Sequence, residues 1–184
     1  MDFRCQQRHE PRSLITTMNP MSMRSSKRLR NLWRCSMADP RELYQQVILE
    51  HNKKPRNFGK IHSCTHQAEG HNPLCGDQLY LTLIVQEGII EDIQFEGRGC
   101  AIDVSSASLM TTAVKGKTVQ DALKLIQAFR ALVRGEWNPA AHGDLGKLVV
   151  FQGVKNLPVR VKCAVLPWAT LQSALDGSPI ASTE

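Results

Sequence analysis

Three cysteines and one aspartate are the residues whose types and settings point to chemistry. Cys75 and Asp77 stand two apart in Asn72-Pro73-Leu74-Cys75-Gly76-Asp77, Cys100 lies in Gly97-Arg98-Gly99-Cys100-Ala101, and Cys163 lies in Val161-Lys162-Cys163-Ala164. Thiolate sulfur joined by a carboxylate oxygen is a donor set that zinc accepts in a tetrahedral site. Spacing alone says little: the chain has no C-x-x-C pair, and a free cysteine is ordinarily a small buried residue. The context says more, since each of these residues sits where an element ends, with glycine or a cation beside it. The four are read as one metal and sulfur site. His62, His66 and His71 are read as solvated polar residues, Cys64 as structural, and Cys5 and Cys35 as inert.

The elements that must position them follow from periodicity and punctuation. Asp39-Pro40 reads as N-cap and first residue of a helix with Leu43, Tyr44, Val47 and Ile48 on one face, ending near Lys54 before Pro55. Thr65 to Asn72 reads as an edge strand. Leu79 to Val85 and Ile89 to Glu96 alternate around Gln86-Glu87-Gly88 and read as a hairpin. Antiparallel pairing then brings Cys75, before one strand, and Cys100, after the next, to the same edge of the sheet. Ala101 to Val114 reads as a helix closed by Gly116. It puts Cys100 at a helix N-terminus, where the dipole favours a thiolate. Thr118, with Asp121 three residues on, opens a further helix that runs to Gly135. Residues 136–157 form a Gly/Pro-containing excursion around a short amphipathic stretch at 145–154. Pro158 begins a last helix that carries Cys163 to about Leu175, and Pro167 inside it predicts a kink or local break near residue 163.

Composition sets the frame. A chain of 184 residues with 42% hydrophobic and 5% aromatic residues can bury one core, packed by aliphatic side chains. Its net charge of +6 suggests an anionic partner until it is placed on the chain. Residues 1–36 hold eight Lys/Arg against Asp2 and Glu10, which is the whole excess, so the body is neutral and a nucleic-acid footprint on it is not supported. No apolar h-region precedes the domain, and no run is long enough to span a bilayer. A cytoplasmic, reducing location is expected, with free thiols or metal ligands rather than disulfides. Residues 1–36 are read as a disordered basic extension, with an organelle transit peptide as the alternative. Residues 37–178 are the domain, and 179–184 a tail.

The three cysteine motifs, with Ser105-Ser106-Ala107-Ser108 after the second and Leu43-Tyr44 through Pro55-Arg56-Asn57 before the first, resemble the NifU-N/IscU scaffold family over about residues 39–175. The excursion at 135–157 is similar to the insertion of the SufU branch, and Lys162 stands where the IscU branch has a histidine ligand. The resemblance implies a small α+β fold, a three-stranded antiparallel sheet packed against about four to five helices. It implies Zn²⁺ held by Cys75, Asp77, Cys100 and Cys163, with Cys75 taking persulfide sulfur from a PLP-dependent cysteine desulfurase of the SufS kind. Downstream Suf cluster-assembly proteins would be further partners. Three thiolates and a carboxylate around zinc carry a formal charge of −2, which Lys162, Arg98 or Arg160 would offset. Two other functions use the same residues: a scaffold for a [2Fe–2S] cluster, and a non-catalytic zinc-stabilised module that activates the desulfurase by docking.

Overall fold

A computed structural model of the chain describes residues 40–183, the side chains of 40–43 excepted. The extension assigned to residues 1–36, and Asp39 as a cap, lie outside the described residues. The first helix, α1, spans Pro40–Lys53. Val47 and Ile48 pack against the core as expected, whereas Tyr44 is exposed and the buried polar residue on this helix is His51.

Three strands follow: β1 (His66–Asn72), β2 (Asp77–Gln86) and β3 (Ile89–Arg98). The β2–β3 hairpin closes at Glu87-Gly88, both at positive φ, which matches the right-handed twist of the flanking strands. Leu79, Leu81 and Leu83 of β2 and Ile93 and Phe95 of β3 fill the inner face by alternation. Tyr80, one residue out of phase, is exposed.

The sheet has four strands rather than three, and it is mixed. β4 (Ile180–Ser182) comes from the segment read as a tail and pairs parallel with Glu69–His71, giving the order β3-β2-β1-β4. The physical reason is the placement of the last helix, α5 (Pro158–Leu175), which packs along β1 and releases the chain beside that strand's open side. The Glu69 N–H donates to Pro179 O at 2.8 Å, and the Thr183 N–H donates to His71 O at 3.4 Å. Backbone groups that an edge strand would leave to water are thus used.

Helix α2 (Ala101–Val114) is buried on most sides, packed against α1, α5 and β3. Ser106, Ser108 and Thr111 hydrogen-bond to α5, to α1 and to the loop after α1. Helix α3 (Val119–Arg134) starts at Thr118, whose Oγ1 accepts the Asp121 N–H at 3.1 Å, and ends at Gly135 in the left-handed region. The excursion resolves into a single-turn helix α4 (Pro139–His142) and a 3-10 helix (Gly146–Asn156), which seats Phe151 on Phe129. Phe129 also stacks on Trp168 of α5, with centroids 4.4 Å apart.

The expected break at Pro167 does not occur; α5 is continuous from Pro158 to Leu175. A proline cannot donate to the carbonyl one turn back, here that of Cys163, and α2 bonds to the helix at the next residue along. There Ser106 Oγ donates to Ala164 O at 2.7 Å and accepts Trp168 Nε1–H at 3.2 Å.

Candidate metal centre

Asp77 opens β2, and the two-residue period puts it on the same inner face as Leu79, Leu81 and Leu83. Its carboxylate is therefore buried under the helices. Across the ladder its register partner is Asn72, whose Nδ2 donates to Asp77 Oδ2 at 3.0 Å. The second oxygen, Oδ1, accepts the backbone N–H of Cys100 at 2.8 Å. That donor is one of the groups left unpaired at a helix start. One carboxylate thus fastens the β1–β2 turn to the beginning of α2.

The turn between Asn72 and Asp77 carries Cys75. The N–H groups of Cys75 and Gly76 both donate to Asn72 O, at 3.3 and 2.9 Å, and Gly76 takes the φ of +69° that closes the turn. Cys75 is left half-buried, beside an exposed Leu74. Cys163 reaches the same point from α5 and is fully buried. Its Sγ lies 3.1 Å from Cys75 Sγ and accepts from Asn72 Nδ2 at 3.4 Å. The ligand atoms of Cys75, Asp77 and Cys163 all fall within 4.8 Å of one another. The thiol of Cys100 is outside that group of three, yet it acts directly on Cys163 through charge and hydrogen bonding.

Charge follows from this crowding. Burial, then hydrogen bonds with Cys75 and Asp77, push the Cys163 thiol well above its ordinary value. Without a cation it holds its proton. Arg160, one turn earlier on α5, places Nη1 3.9 Å from Cys75 Sγ, and its pKa is raised by Cys163 first and then by the charges of Cys100, Cys163 and Cys75. Asp103, in the first turn of α2, is 1% exposed, its Oδ1 has no partner, and burial followed by the charge of Asp77 raises its pKa to about 8.

The donor set fits zinc. Thiolates and a carboxylate oxygen are accepted ligands, and the site collects three of them from a turn, a strand and a helix, with Cys100 at the nearby start of α2. Of the three cations expected to offset the charge, only Arg160 faces the thiols. Arg98 ends β3, exposed and paired in register with Gln78. Lys162 is half-buried and lines one cleft with Arg130 and Arg134 and another with Asn72, Pro73 and Leu74, with no hydrogen bond to the thiols among the described residues. His66 meets Thr65 and His71 pairs with Glu69, so neither joins the group, and Cys64 contacts Gln67. Asn72 and Asp103 were missed as site residues. The register of the hairpin would have placed Asn72 opposite Asp77, but a lone acid in a run of small helical residues gives Asp103 no signal.

Comparison with known proteins agrees with this architecture. Residues 43–164 match the family model of the NifU-like N terminal domain. The zinc-dependent sulfurtransferase SufU of Bacillus subtilis is 41% identical over 134 residues, covering 72% of this chain and 89% of that protein. The iron-sulfur cluster assembly scaffold protein IscU of Streptococcus pyogenes is 40% identical over 136 residues, covering 74% and 84%. A crystal structure from Fervidobacterium islandicum AW-1, described as an iron-sulfur cluster assembly scaffold of the SUF system, superposes with a TM-score of 0.67 at 36% identity, over 74% of this chain and 99% of that one. With its Cys/Asp/Cys group where the mixed sheet meets α5, the chain belongs to the NifU-like N-terminal domain family, among the iron–sulfur cluster assembly proteins of the SufU and IscU kind.

Proposed function

We propose that this protein accepts sulfur on Cys75 from the persulfide of a cysteine desulfurase, with zinc held by Cys75, Asp77, Cys100 and Cys163. The observation that carries the reading is the contrast between the two adjoining thiols. Cys163 is fully buried on a helix, while Cys75, 3.1 Å away, is half-exposed on a turn that opens into a cleft lined by Leu74, Leu157 and Arg160. Bound zinc would keep the coordinating thiols deprotonated and protected until one is exchanged.

The remaining chemistry belongs to the chain. A released Cys75 thiolate attacks the outer sulfur of the donor's persulfide. The donor's S–S bond breaks, a new S–S bond forms on Cys75, and the donor cysteine leaves as its thiolate, so no external oxidant or reductant is needed. Arg160 Nη1, 3.9 Å from Cys75 Sγ, offsets the negative charge of that thiolate. Asp77 is held by Asn72 Nδ2 and the Cys100 N–H, an arrangement that suits an anchored ligand rather than a general base. The same donors suit a [2Fe–2S] scaffold less well, because Lys162 beside Cys163 lines a different cleft and supplies no nitrogen ligand.

The test is sulfur loading of the full chain. Incubated with desulfurase and cysteine, the protein should gain one sulfur atom on the peptide containing Cys75, seen by mass spectrometry under non-reducing conditions. Cys75→Ser should abolish the gain and the stimulation of the desulfurase. Equal loading of the variant would reject the assignment.

A further inference from the structure

Between α3 and α5 runs a cleft of about 300 Å³, with Val133, Val161, Val165 and Ala169 as apolar walls. Three cations line it: Arg130 and Arg134, one turn apart on α3, and Lys162 on α5. No acidic side chain is among its lining residues, and none of the three cations has an ion pair among the described residues. Arg130 is half-buried, and burial followed by the charge of Arg134 holds its pKa below its ordinary value. Like charges on adjoining helical turns repel, and keeping three of them around an apolar trough stabilises nothing in the free protein. The arrangement suits an anionic occupant.

The cleft also has a direction. Lys162 and Thr183 line it, and both line the adjoining cleft whose other residues are Asn72, Pro73 and Leu74. The trough therefore leads from α3, past Lys162, to the turn on which Cys75 is carried. The body of the chain is neutral overall, so this is a local concentration of positive charge and not part of a general basic surface.

We propose that this cleft docks an acidic segment with apolar side chains from the sulfur-donating partner. Its carboxylates would pair with Arg134, Arg130 and Lys162, so that the donor's persulfide approaches Cys75 from a fixed direction. The proposal rests on the sulfur-transfer reading above and adds to it where the donor binds. Apolar walls favour a peptide over a free inorganic anion, which would leave them unused. Continuity with the Leu74 turn favours the partner that must reach Cys75.

The experiment titrates the desulfurase with the full-length protein and follows cysteine-dependent sulfide or alanine production. For Arg130→Gln/Arg134→Gln, the half-saturating concentration should rise about tenfold at low salt with the saturating rate retained. The difference should shrink as added salt screens the charges. Arg130→Lys/Arg134→Lys keeps the charge and should restore near-normal saturation, separating docking from a loss of helix packing. Glu184→Gln should leave the titration unchanged; a tenfold tighter titration would assign the cleft to this chain's own last residue and overturn the proposal. So would a half-saturating concentration of the Gln variant within twofold of the unmodified protein, or an equal defect in the Lys variant. If the unmodified protein fails to stimulate at any concentration, it is the sulfur-transfer reading that fails; binding of the two proteins, followed by light scattering, then tests the cleft separately.

Discussion

Asp103 and Asp77 are two buried carboxyls, and the charge of Asp77 adds to burial in raising the pKa of Asp103. They divide the labour by their partners. Asp77 has two donors for its oxygens, whereas Asp103 Oδ1 has none, and a buried carboxylate without partners is driven to hold its proton. With a folded pKa of about 8 against an ordinary 3.8, Asp103 binds its proton more tightly folded than unfolded. Its contribution to stability is full below pH 3.8 and is lost as pH rises toward about 8. Asp103→Asn keeps the shape and removes the titration. We expect the metal-free variant to melt at a higher temperature than the unmodified chain at about pH 8, and the gap to close in acid. A variant that melts lower at alkaline pH would show that the carboxylate has a partner that stabilises it.

At the scale of elements, α1 and the loop after it are tied to α2 by hydroxyl groups. Ser108 Oγ accepts the Arg56 N–H at 2.8 Å, which leaves its own proton for His51 Nδ1, also at 2.8 Å. Asn57 Nδ2 adds a bond to Thr111 Oγ1 at 3.2 Å. This needs a neutral imidazole. Burial first, then the charges of Arg56 and Lys147, lower the His51 pKa against an opposing pull from Glu50. The unfolded chain takes up the proton more readily, so stability holds above pH 6.5 and falls as the pH drops below it. Thermal unfolding between about pH 7.5 and pH 5.5 should show that fall, and His51→Gln should flatten it. None of this was legible beforehand, because the partners of His51 and the loop lie more than fifty residues away, on α2. The hairpin was legible, since alternation from Leu79 to Glu96 and the glycine at its turn are local properties. Antiparallel pairing also brings the start of β2 and the end of β3 to one edge, where the Cys100 N–H reaches Asp77 Oδ1; the Cys100 thiol itself stays outside the group formed by Cys75, Asp77 and Cys163. β4 was not legible: Ile-Ala-Ser carries no pattern, and its pairing depends on where α5 releases the chain.

For the whole molecule, the centre joins elements distant in sequence: the β1–β2 turn, the start of α2 and the first half of α5. An ion bound there would clamp the sheet to both helices. Zinc at about a hundredfold excess over its Kd should add about 2.7 kcal/mol, a rise in Tm of roughly 5–10 °C for a domain of this size. Calorimetry with one equivalent of zinc, then with chelator, measures it, and Asp77→Ala should lose most of the gain. No helix among the described residues is long and apolar enough to cross a membrane. The cation-lined cleft escaped sequence reading for a reason of the same scale, since Arg130, Arg134 and Lys162 meet only when α3 packs on α5.

The pairing of Asn72 with Asp77 has a consequence for assembly. Side chains alternate along a strand, so a slip of β1 by one residue would turn Asn72 to the outer face and leave Asp77 without its donor. Cys163 would lose the same amide. A chain paired out of step therefore loses the amide that holds Asp77 and Cys163 in place, and an ion bound there would favour correctly aligned sheets over misaligned ones. The centre is in this sense a proofreader of the fold that carries it.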